Sequence, residues 1–238
     1  MELKLRNTNS VLNQKFHAVI LGESGVGKTY VARTLPNHDK VLFVNIAPYE
    51  SGTLSISDLN MDVYDIHTIE DAYQLLEFLK QDEKYETVFV DGLTALSKVS
   101  IGHWEIVHED NKNAYKKFED HANFLTQFLL TLKTINKHAI LTCLPSITQS
   151  PEGIEMYSFD LDGKSFARNL EARVDAVLAL GIDSDGVRLF LCEANSKWVA
   201  KVRRPLGVHI NKMEPADLGA LMTKLGFLKS SNLKDKKK

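Results

Sequence analysis

The chain has 238 residues, 44% apolar and 25% charged, and a net charge of −2, the proportions of one ordinary globular domain with a core of normal size. No run approaches the ~18 apolar residues of a membrane span, and the first ten residues hold no apolar signal region. Cys143 and Cys192 sit singly in apolar runs, as buried thiols do and as disulfide or metal pairs do not, so a cytoplasmic protein is expected.

The first predicted element is a strand over Phe16–Leu21, a short apolar run rich in strand formers. Residues 22–29 follow: Gly22, Glu23, Ser24, Gly25, Val26, Gly27, Lys28 and Thr29. They fit G-x-x-x-x-G-K-[ST], a loop whose backbone amides cradle phosphates. Glycines let the backbone wrap closely around an anion. Lys28 then reaches the β- and γ-phosphates, and the Thr29 hydroxyl takes a Mg²⁺ position. Glu23 is expected to point away from the phosphates, and Tyr30 to adjoin the bound nucleotide. Val31, Ala32 and Leu35 have helical spacing, so a helix is expected to open at Lys28 and turn its amides and dipole toward the anion.

Strands are then predicted over Val41–Ala47 and Met61–Ile66, and a helix over Ile69–Lys80. Thr87–Asp91 reads as a buried strand that delivers one carboxylate at its end. Asp91 is the candidate partner of Thr29 at Mg²⁺; the competing reading makes it the N-cap of a helix beginning at Gly92. A helix carries the stripe Tyr115, Phe118, Ala122, Leu125, Leu129 and Leu132, and a strand follows over His138–Leu144. Residues 145–166 lose all periodicity and read as a long functional loop. Strands over Val174–Gly181, Val187–Glu193 and Trp198–Val202, with a turn at 183–186, form an antiparallel extension. A short helix over 215–226 ends the domain, taken as residues 1–226, and 227–238 is a tail of net charge +4 that leaves −6 on the body. The body is therefore no basic nucleic-acid surface. The tail is either a solvated terminus or a contact for phosphates or an acidic partner. Strands alternating with helices imply an α/β fold: a mostly parallel sheet with helices on both faces.

In their order, Gly22–Thr29, Val41–Ala47, Phe89–Thr94 and Trp198–Arg203 resemble the RecA-like P-loop ATPases carried by bacteriophages, a group that includes single-strand-annealing recombinases. The resemblance implies a RecA-like P-loop NTPase core, ATP with Mg²⁺ as cofactors, a homo-oligomer, and work with single-stranded DNA or a DNA-processing protein in the cytoplasm of a bacterial host. It further implies that Lys201 and Arg203, which match a K-x-R pattern, reach the γ-phosphate of a neighbouring subunit. The competing reading is a solvated basic strand edge. The water-activating acid of the family falls near Ala47, where this chain has no acid, and Glu50 is the first one after it. Thr142 is the candidate polar sensor. An ATP-dependent switch or loader acting on a protein partner, without DNA contact, is the alternative function. A small-molecule kinase fits less well, because the 145–168 region offers only Lys164 and Arg168 for a lid.

Overall fold

A computed structural model describes residues 15–229, apart from Pro48, Glu50, Ser51, Ala114, Ser150 and Pro151. Its strands are β1 (His17–Leu21), β2 (Val41–Ile46), β3 (Asp62–Ile66), β4 (Thr87–Asp91), β5 (His138–Cys143), β6 (Pro145–Gln149), β7 (Glu155–Phe159), β8 (Ala176–Ile182), β9 (Arg188–Leu191), β10 (Lys201–Val202) and β11 (Met213–Pro215). The helices are α1 (Ile69–Gln81), α2 (Leu93–Val107), α3 (Lys116–Thr134), α4 (Lys164–Arg173) and α5 (Leu218–Lys224).

Nine strands form one sheet in the order β11-β9-β8-β1-β5-β4-β2-β3, with β10 also on β8. Strands β8, β1, β5, β4, β2 and β3 run parallel, and β9, β10 and β11 add antiparallel pairs at one side. This is the expected α/β P-loop architecture. Every residue of β1, β2, β4 and β5 is buried, because both faces of a parallel sheet are covered. Successive residues still face opposite ways. Val19 and Leu21 of β1 pack with Val88, Val90 and Leu141 under α1 to α4. Ala18 and Ile20 pack with Phe43, Phe89 and Leu178 under Val31 and α5. α1 begins at a capping box, Thr68 with Asp71, which satisfies two otherwise orphaned amides.

Four expectations change. The segment after the P-loop is a 3-10 helix over Thr29–Thr34. Pro36 drives Leu35 into the extended region, at ψ 143°, and so stops the helix after two 3-10 turns. The anion site therefore rests on loop amides and cationic side chains, not on a long helix dipole. Residues 145–166 are not irregular: β6 and β7 pair as a separate hairpin from Pro145–Phe159 to Gln149–Glu155, and α4 follows. Polar Ser, Thr and Gln hid this hairpin, which is only partly covered. The strand expected over Trp198–Val202 shrinks to Lys201–Val202, with Trp198 bridging Tyr157 separately. Finally, α2 starts at Gly92, whose φ of 111° is left-handed, a conformation glycine adopts cheaply. Asp91 caps no helix. At the far end, Phe227 of the segment read as a tail packs tilted against Phe16, ring centres 5.0 Å apart; residues 230–238 lie outside the described residues.

Candidate active site

β1 and β4 are both central strands separated by β5, and all three end at the same edge. Ligands of parallel α/β sheets bind beyond the carboxyl ends of the strands, and the P-loop leaves β1 there. Gly22 N–H bonds to the Cys143 carbonyl at the end of β5, which pins the start of the loop. Gly25 and Gly27 have φ of 78° and 104°, values that side chains resist. The Lys28 ammonium donates to the carbonyls of Gly22 (2.8 Å) and Glu23 (2.9 Å), so it closes back over its own loop.

Asp91 is 3% exposed. The Thr29 hydroxyl donates to its Oδ2 at 2.5 Å, and the Thr142 hydroxyl to its Oδ1 at 2.7 Å. Gly92 N–H in turn donates to Thr142 Oγ1 at 2.8 Å. Thr142 thus ties the carboxylate of β4 to β5. Gly52, at the start of a 3-10 segment over Gly52–Ile56, lies directly over this pair: a Cβ there would stand 2.5 Å from Asp91 Oδ2 and 2.6 Å from Thr29 Oγ1. Arg33 secures the segment by bonding the Ser55 carbonyl and the Asp58 carboxylate, which it holds at a pKa of about 2.

These residues surround a cleft of about 360 Å³. Ser24, Gly25, Gly27, Lys28, Thr29, Tyr30 and Asp91 of the predicted set line it, together with Thr142 and Arg188. Gly22, Glu23 and Val26 do not. Gly22 packs on Leu180, while Glu23 and Val26 line a groove beside Trp198 on the outer side of the loop. Cys143 also borders the cleft, but burial pushes its thiol up to about 12, so it is no nucleophile. Glu50 lies outside the described residues.

Lys201 and Arg203 sit elsewhere. β10 pairs with Ala176 and Val177 at the start of β8, whereas the P-loop leaves β1 beside Ala179; Lys201 is therefore level with the middle of β1, Arg203 lies further from the loop beside Asp175, and neither lines the cleft. Lys201 donates to the Glu171 carbonyl and Arg203 to the Ala172 carbonyl, both in the last turn of α4. Burial and then the Arg203 charge lower the Lys201 pKa.

A carboxylate and a hydroxyl within hydrogen-bond reach, buried and joined to a phosphate-binding loop, are hard oxygen donors that fit Mg²⁺. No cluster of three or more His, Cys, Asp or Glu side chains suited to a metal occurs among the described residues. The model of the AAA domain family matches residues 14–204. The chain belongs to the AAA domain family. Membership makes it an AAA-like P-loop ATPase domain, as the loop and β4 carboxylate lead one to expect. No curated protein matches this AAA domain. Among its described residues no helix is long and apolar enough to cross a membrane. Sequence reasoning missed Arg188, which lines the cleft, and Gly52, which lies over Thr29 and Asp91. Arg188 is 162 positions from its P-loop partner Val26 and carries no local motif. A glycine following Ser51 reads as an ordinary turn.

Proposed function

We propose that this AAA domain binds and hydrolyses ATP with Mg²⁺ and works with single-stranded DNA in phage recombination or replication. The observation that carries the ATP reading is the chain Thr29–Asp91–Thr142 beside Lys28. Bound ATP and Mg²⁺ would supply the transferable phosphoryl group and the cation that neutralises it. Thr29 and Asp91 hold the metal, Thr142 orients the carboxylate, and Lys28 leaves its two carbonyls for the phosphates. Glu50 is proposed to activate the attacking water.

Lys201 and Arg203 are bonded to carbonyls of α4 and line no part of the cleft of their own chain. We assign them to a neighbouring subunit's site, which requires a homo-oligomer. The surface that meets the effector is the β6–β7 hairpin, which begins three residues after Thr142 and exposes Ile147, Ile154 and Met156. Its residues 145–159 contain Glu152 and Glu155 but no Lys or Arg, and single-stranded DNA grooves are usually basic. That observation favours the second reading, a switch or loader acting on a protein partner.

Turnover of ATP with and without single-stranded DNA tests both. Lys28→Ala should lower turnover by ~10²-fold or more; wild-type activity in that variant refutes the site. Acceleration by DNA supports the first reading, and turnover indifferent to DNA transfers the effector role to a protein.

A further inference from the structure

We infer that Arg188, at the start of β9, is a nucleotide-binding residue of the same chain that takes the α- and β-phosphates; this rests on the ATP reading above. Its Nε donates to the Val26 carbonyl at 3.0 Å. Its guanidinium lies 4.9 Å from the centre of the Tyr30 ring, and it lines the cleft with Lys28, Thr29 and Asp91. A Cβ on Gly27 would run into its Nε and come within 3.1 Å of its Cδ. The absence of a side chain at Gly27 therefore lets an arginine lie against the loop, besides permitting the φ of 104°.

Two features separate this arginine from a structural one. Arg33 reaches the same Tyr30 ring at 5.4 Å but is consumed by the Asp58 carboxylate. Among the described residues, no carboxylate forms an ion pair with Arg188. Nε is used on Val26, which leaves the two terminal nitrogens of the planar fork, a group suited to phosphate oxygens. Its place along the loop decides which phosphates. The backbone of a P-loop cradles the α- and β-phosphates, and its lysine reaches the β- and γ-phosphates. Arg188 touches Val26, Gly27 and Tyr30 at the end of the loop, whereas the Lys28 ammonium lies on Gly22 and Glu23 at its beginning. Arg188 accordingly serves groups common to ADP and ATP, and its loss weakens both alike.

The test is calorimetric titration of the full chain with ADP and with a non-hydrolysable ATP analogue, plus competition by inorganic pyrophosphate. Arg188→Gln keeps an N–H donor for Val26 but no charge. It should weaken ADP, the analogue and pyrophosphate by a common ~10- to 100-fold. Arg188→Lys keeps the charge without the fork and should lose less; it carries the test if the glutamine variant does not fold. ADP affinity within about twofold of wild type in both variants overturns the inference. So does a loss confined to the ATP analogue, which would place Arg188 at the γ-phosphate. A loss for ADP with pyrophosphate binding unchanged overturns it too, by assigning the guanidinium to the base. If the wild-type chain itself binds neither ADP nor pyrophosphate, it is the nucleotide reading that fails.

Discussion

Asp91 accepts a hydroxyl on each of its oxygens, and the Gly52 backbone closes over that arrangement. A side chain at Gly52 finds no room there. The obstacle is the methyl group itself, which would lie 2.5 Å from Asp91 Oδ2. Gly52→Ala should keep the melting temperature nearly unchanged but displace the segment over the metal position. Mg²⁺-dependent turnover should fall by ~10²-fold, with metal-free ADP binding retained; unchanged Mg²⁺ dependence would remove Gly52 from the site. His138 makes a different prediction. Burial, then the charges of Lys15 and His17, lower its pKa from 6.5 to about 3. The neutral ring accepts a hydrogen bond from Phe16 N–H at 2.9 Å. Because the folded pKa is depressed, the unfolded chain takes up the proton first. Stability is thus full above about pH 6.5 and is lost as pH falls toward 3. Urea unfolding at pH 7.5 and 5.0 should show a loss of about 2 kcal/mol from this group, and His138→Asn should remove that share of the slope.

The hairpin and α2 act as one assembly at the level of elements. Thr94, in the first turn of α2, accepts from Leu144 N–H at 3.0 Å, just before β6 begins. Ser97, one turn later, accepts from Asp162 N–H at 2.9 Å, just after β7 ends. His121 of α3 holds the Asp162 carbonyl and Ser100 from beneath. α2 itself begins two residues after Asp91, so the helix that grips both feet of the hairpin is anchored at the Asp91 carboxylate. Thr94→Val leaves the Leu144 amide without its partner and should cost ~1–3 kcal/mol in urea unfolding. It should also reduce whatever stimulation an effector gives, at unchanged ADP affinity. Stimulation at the wild-type level would mean that α2 does not transmit the nucleotide state. The long, strongly patterned elements, α1, α3 and β4, were legible because their apolar residues alone report period and burial. The hairpin was not: its polar, partly covered strands carry little apolar pattern, and its flanks are tethered by Thr94 and Ser97 from a helix 50 and 65 positions away.

For the whole molecule, the position of Lys201 and Arg203 yields the clearest consequence. Their side chains meet the last carbonyls of α4, where a helix favours positive charge, and Arg203 also lies 3.8 Å from Asp175. Neither lines the cleft of its own chain. If they act in trans, a mixture of Lys28→Ala and Arg203→Ala proteins recovers activity, because some interfaces pair an intact loop with an intact finger. The gain from such a finger is ~10³-fold or more in rate. Specific activity should also rise with protein concentration. A dead mixture and a flat dilution curve down to the monomer would reduce both residues to their role on α4.

The sequence by itself determined the P-loop, the buried parallel strands and the carboxylate of Asp91, because each is a local pattern: fixed spacing, a continuous apolar run, a charged residue at its end. Tertiary structure decided what those parts meet. Thr142 reaches Asp91 only because β5 lies between β1 and β4. Arg188 reaches Gly27 only because the β8–β9 hairpin folds back beside β1. Gly52 closes over Thr29 and Asp91 only because the fold brings its segment to the ends of β1 and β4. Such contacts join residues that are distant in sequence, and nothing in the local pattern at Arg188 or Gly52 encodes the partner that the crossovers of the sheet bring to it.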